Sequence, residues 1–185
     1  MQLLLFPIAS CTSKHENAAL QEVNSLLNNN PDSALSILEK IDWHKLSEEE
    51  QARYSLFHTI AQDKSGLDVD SDSLIGLAYD YYKYKEKDSL YAKCHYYMGK
   101  YYWLNDSNRQ AEECFIQAIL SAKERNDQYT HYLALEKLSK SLQKSNPEDA
   151  IRYSKEAYKV FDENFHDNIS NKVFLLLNIG ISYSI

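Results

Sequence analysis

AKCHYYMGKYYWLNDSNRQAEECFIQAILSAK, residues 92–123, decides the fold. Two helical stretches are separated by a polar turn after Leu104, with apolar residues recurring at helical spacing on either side. Gly99 lets a second helix approach closely, and Ala111 and Ala118 are small on the face that receives it. Large residues at these points would push the pair apart, since overpacking costs roughly 1–3 kcal/mol. The segment therefore reads as one helix–turn–helix unit.

Outward from this unit the chain reads as helices throughout. A first pair is expected over 16–28 and 31–41, opened at its second helix by Asn30-Pro31-Asp32-Ser33. Proline fits the first helical turn, and an acidic residue there favours the positive end of the helix. A second pair is expected over 47–63 and 71–84, where Ser47 followed by Glu50 makes a capping box. A fourth runs over 127–143 and 147–164, and Asn146-Pro147-Glu148-Asp149 repeats the start signal. Residues 171–185 read as one more first helix, in which Gly180 and Tyr183 reproduce the spacing of Gly99 and Tyr102. Ala150 and Ala157 repeat the gap between Ala111 and Ala118, while Ser154 stands where the third pair has Phe115.

Met98-Gly99, Tyr102, Ala111, Phe115 and Ala118 together resemble the Leu-Gly, Tyr, Ala, Phe, Ala skeleton of a tetratricopeptide (TPR) repeat. The resemblance implies an all-α, TPR-like α-solenoid over 18–185, of about four antiparallel helix pairs plus one terminal helix. Its packing residues would be Met98, Gly99, Tyr102, Ala111, Phe115, Ala118, Ala150, Ala157, Gly180 and Tyr183. A solenoid usually closes with a polar cap. Here Phe174, Leu175, Leu176 and Leu177 in the last segment would face no partner helix, so the expectation is a chain truncated at its C-terminus.

Composition fits this class. Among 185 residues there are 4 glycines and 3 prolines, too few for a loop-rich or all-β protein. A formal charge of −7 argues against a nucleic-acid surface, which needs clustered Lys and Arg. The 15 tyrosines concentrate between Tyr79 and Tyr102. At the start, MQLLLFPIASC is an apolar run too short to cross a bilayer of about 30 Å. Ile8-Ala9-Ser10-Cys11 resembles a bacterial lipobox, which implies a signal segment at 1–10, lipidation of Cys11 and a polar tether at 11–17. The expected location is the bacterial envelope, outside the cytoplasm, with an acyl anchor in the membrane.

Catalytic signals are poor, and no enzyme, cofactor or metal is expected. The histidines His15, His44, His58, His95, His131 and His166 form no HExxH and no ligand pair on one helix. Asp68, Asp70 and Asp72 alternate as Ca²⁺ ligands do, but the sixth and twelfth loop positions are Ser73 and Tyr79 rather than Gly and Glu. An acidic loop capping the next helix is expected there. Cys94 and Cys114 sit at offset heights on paired helices, so both are expected as buried free thiols.

Lys93, Tyr96, Lys100 and Trp103, spaced by three, four and three residues, share one helical stripe. The TPR resemblance implies that this stripe lines a concave groove, with Glu136 and Lys140 as its continuation in the fourth pair. Two cations and two aromatic rings would suit an acidic or carboxylate-ending peptide, and Lys100→Glu is expected to weaken that ligand without unfolding the chain. The alternative is that Tyr96 and Trp103 only pack. Two roles are expected from this reading: an envelope-anchored scaffold for a protein partner, or the sensor region of a membrane-anchored regulator. Glycan binding by the tyrosine-rich stretch is a third.

Overall fold

The computed structural model describes residues 17–67 and 72–165. Among these the fold is all-α, with eight helices and no strand: α1 (Ala18–Leu26), α2 (Pro31–Leu38), α3 (Glu48–Lys64), α4 (Asp72–Tyr82), α5 (Tyr91–Leu104), α6 (Asn108–Glu124), α7 (Gln128–Leu142) and α8 (Pro147–Asn164). A short 3₁₀ turn at Trp43–Lys45, unforeseen in the sequence, precedes α3. The expected signal segment, Cys11, nearly all of the expected tether, Asp68 to Ser71, and the expected terminal helix with Gly180 and Tyr183 lie outside the described residues.

Helix starts follow local chemistry. Asn30 Oδ1 accepts from Ser33 N at 3.2 Å, and Asn146 Oδ1 accepts from Asp149 N at 3.2 Å, each just before a proline in the first turn. Ser47 and Glu50 close the capping box, with the Glu50 carboxylate accepting from Ser47 N at 2.8 Å. These bonds satisfy N–H groups that a helix start leaves unpaired.

Three helix ends share one turn. Gly66, Asp106 and Asn126 take positive φ values of 71°, 56° and 57°. The next residue's N–H then reaches back to a carbonyl in the last turn: Leu67 to Gln62 O at 3.0 Å, Ser107 to Tyr102 O at 2.9 Å, Asp127 to Ala122 O at 2.9 Å. This is the Schellman arrangement, which favours Gly and is tolerated by Asn and Asp. It reverses the chain within three residues, so α5 folds back on α6 and α6 on α7.

Each helix packs against its neighbours in sequence, and the odd-numbered helices also touch one another, α1 with α3, α3 with α5 and α5 with α7. Where α5 meets α6, Gly99 lies against the Phe115 ring and Cys114. Ala111, Phe115 and Ala118 are fully buried, and Met98 nearly so. Ala150 and Ala157 are fully buried on α8, and Tyr102 is half-buried. Cys94 and Cys114 are free and buried.

The fourth pair solves the same contact with different atoms. Ser139, forty residues after Gly99, donates to Ala150 O at 2.9 Å and shares a 2.6 Å hydrogen bond with Ser154 Oγ. Gly opposite Phe in one pair becomes Ser opposite Ser in the next. Thr59, forty residues before Gly99, is also buried, with its hydroxyl on Ser55 O at 3.0 Å. Small residues therefore recur at this depth in α3, α5 and α7.

Candidate functional site

The lysine cleft opens where the odd-numbered helices come together. It is lined by Asn28, Lys64, Lys93, Asp127, Tyr129 and Phe165 and holds about 390 Å³. A narrower pocket of about 40 Å³ adjoins it, floored by Leu27, Ile60, Tyr96 and Tyr97. Lys64 reaches the cleft from the last turn of α3. Its Nζ donates to Asn28 Oδ1 at 2.7 Å and lies 5.0 Å from the centre of the Tyr129 ring. Burial, and then the neighbouring Lys93 charge, hold the Lys64 ammonium below its usual pKa, with Asp63 opposing. A carboxylate entering here would meet two cations, one partly stripped of water. Asp127 also borders the cleft, but its carboxylate caps α7 through Thr130 N at 3.1 Å and Thr130 Oγ1 at 2.8 Å.

The predicted stripe separates into one residue that borders the cleft and three that are held by neighbouring side chains. Lys93 borders the cleft and is half-buried. Tyr96 is only 4% exposed and packs edge-on to Tyr97, with Phe115 6.2 Å away. Lys100 is ion-paired with Asp63 of α3. Trp103 carries the Lys137 ammonium 5.2 Å from its ring centre. Glu136 is buried on α7, ion-paired with Lys140 and with Lys137 at 3.6 Å. Lys100→Glu would thus set two carboxylates against each other across α3 and α5, so it perturbs the fold as well as any ligand.

Lys64 and Tyr129 were not legible as site residues in the sequence, because the lateral packing of odd-numbered helices brings them to Lys93. Five lysines, Lys64, Lys93, Lys100, Lys137 and Lys140, gather along this face beside Asp63, Asp127 and Glu136. The cluster is net positive on a chain whose formal charge is −7.

The chain matches no family model, no curated protein and no solved structure. No helix among the described residues is long and apolar enough to cross a membrane, and no group of three or more His, Cys, Asp or Glu among them could hold a metal ion.

Proposed function

We propose that this chain is a TPR-like helical repeat module that binds an acidic segment of a protein partner on its odd-helix face, without catalysing a reaction. The observation that carries this is the Lys64–Lys93 cleft, where two like charges face one opening with an aromatic ring beside them. An anion between the two ammonium groups would offset their mutual repulsion. The forty-residue recurrence of Thr59, Gly99 and Ser139, and the contacts between odd-numbered helices, support the repeat reading. Burial pushes the Cys94 thiol far up and Cys114 to about 11, leaving neither as a ready nucleophile. Attachment to the bacterial envelope through Cys11 is part of the proposal and rests on the lipobox resemblance. A sensor region of a larger regulator would use the same face.

The test is calorimetric titration of the full chain with a peptide ending in consecutive aspartates and glutamates. The Lys64→Glu, Lys93→Glu double variant should weaken binding by at least about tenfold, and added salt should weaken the wild type steeply. Equal affinities in the two proteins, with both folded, would refute the site.

A further inference from the structure

A second cleft opens between α4, α5 and α6. It holds about 490 Å³, within the roughly 300–1,000 Å³ range of small-molecule sites. One wall is aromatic: Tyr79 from α4, and His95 and Tyr102 from α5. Tyr79 meets His95 edge to face at 5.1 Å between ring centres, and Tyr91 backs His95 at 4.0 Å, so the wall is braced. The other wall is α6, which presents Gln110, Glu113 and Gln117 at spacings of three and four, one helical face.

The charge state of this cleft points to a neutral ligand. Glu113 is the acidic member, and Arg109 pairs with it at 3.2 Å. His95 Nδ1 donates to Tyr91 O at 3.0 Å, which leaves Nε2 as the ring's acceptor. Burial lowers the His95 pKa, keeping the ring neutral near neutral pH. Burial also raises Tyr79 and Tyr102, so both phenols keep their protons. Beside the Cys114 thiol and the apolar Ile116 side chain, what remains is a set of amides, phenols and one imidazole acceptor, groups that donate and accept in pairs. Adjacent hydroxyls on one ring need such groups. The C–H face of a pyranose is weakly electropositive and sits well on the negative face of an aromatic ring.

We propose that this cleft is a binding site for a neutral saccharide, with the aromatic wall stacking a sugar ring and the α6 side chains taking its hydroxyls. The site stands apart from the lysine cleft and does not rest on it. The probes are an array of neutral oligosaccharides (gluco-, manno-, galacto- and N-acetylglucosamine types) followed by titration of any hit with the full chain. The expected result is at least one binder whose affinity changes less than about twofold between about 50 and about 500 mM salt. Tyr102→Ala should weaken it by at least about tenfold. Because Tyr102 is half-buried, Gln110→Ala with Gln117→Ala is the companion variant; both residues are exposed on α6, Gln117 Oε1 accepts only a long 3.4 Å hydrogen bond from Tyr91 Oη, and far-UV circular dichroism checks that the variant is folded. Lys93→Glu should leave sugar binding unchanged. An array without a binder, binding retained in both cleft variants, or binding lost in Lys93→Glu would overturn the proposal.

Discussion

Gly99→Ala adds one methyl group at the tightest point between α5 and α6. The added Cβ would fall 2.7 Å from Phe115 Cε1, 2.8 Å from Cδ1 and 3.1 Å from Cys114 Cβ. Phe115, the nearer neighbour, is fully buried, so its ring yields only by displacing other core side chains. Two effects oppose each other. Alanine is a better helix former than glycine by about 1 kcal/mol, while overpacking costs about 1–3 kcal/mol. The contact distances favour the second, so a net loss of about 1 kcal/mol is expected, lowering Tm by roughly 2–4 °C. Phe115→Leu removes the clashing ring atoms. In that background Gly99→Ala should become neutral or stabilising by up to about 1 kcal/mol. A double-mutant cycle by urea unfolding, followed by far-UV circular dichroism, measures the coupling, expected at about 2 kcal/mol. If Gly99→Ala has the same sign and size in both backgrounds, the close contact is not what glycine serves there. A stabilising Gly99→Ala in the wild type would refute it outright.

Ser139→Ala should cost about 1–2 kcal/mol, because it leaves Ser154 Oγ buried without its partner. The double Ser139→Ala, Ser154→Ala should cost no more than the single; additive losses in chemical unfolding would contradict the shared bond. Lys100→Glu should lose about 1 kcal/mol by facing Asp63 with a like charge, and Asp63→Lys in that background should recover the melting temperature. His95 and His131 are both held below the ordinary 6.5, chiefly by burial. A base with a depressed folded pKa takes up its proton more readily in the unfolded chain. The stability it contributes is full above pH 6.5 and is lost as pH falls through the folded pKa. The urea midpoint should therefore drop between pH 7 and 5, less so in His131→Gln; a flat profile in both proteins would show that burial does not hold these rings neutral.

Helix positions were legible because their signals are local. Asn30 with Ser33, Ser47 with Glu50, and Asn146 with Asp149 each place the cap and the residue it serves three positions apart. Gly99 was legible because a lone glycine inside a helix that is otherwise rich in aromatics calls for a close neighbour. The relation between pairs was less so. Asp63 lies 37 positions before Lys100, and nothing in either helix announces their pairing. Ser139 and Thr59 share Gly99's depth, yet as polar residues in helices they carry no outward sign of burial. The cleft escaped for the same reason, since Lys64, Lys93 and Tyr129 come from α3, α5 and α7.

The exchange of Gly99 and Phe115 for Ser139 and Ser154 also constrains how such a chain can be rebuilt. Passing from one solution to the other by single substitutions meets an obstacle in either order. Serine at 99 with Phe115 still present is crowded, and serine at 115 opposite glycine leaves a void. The two residues behave as a lock and its key. Splicing such modules inside a hairpin would mate unlike halves, whereas a join in the turn at Arg125–Asp127 would carry each lock away with its own key. Modular recombination of this chain should therefore succeed at the turns between hairpins and fail within a hairpin.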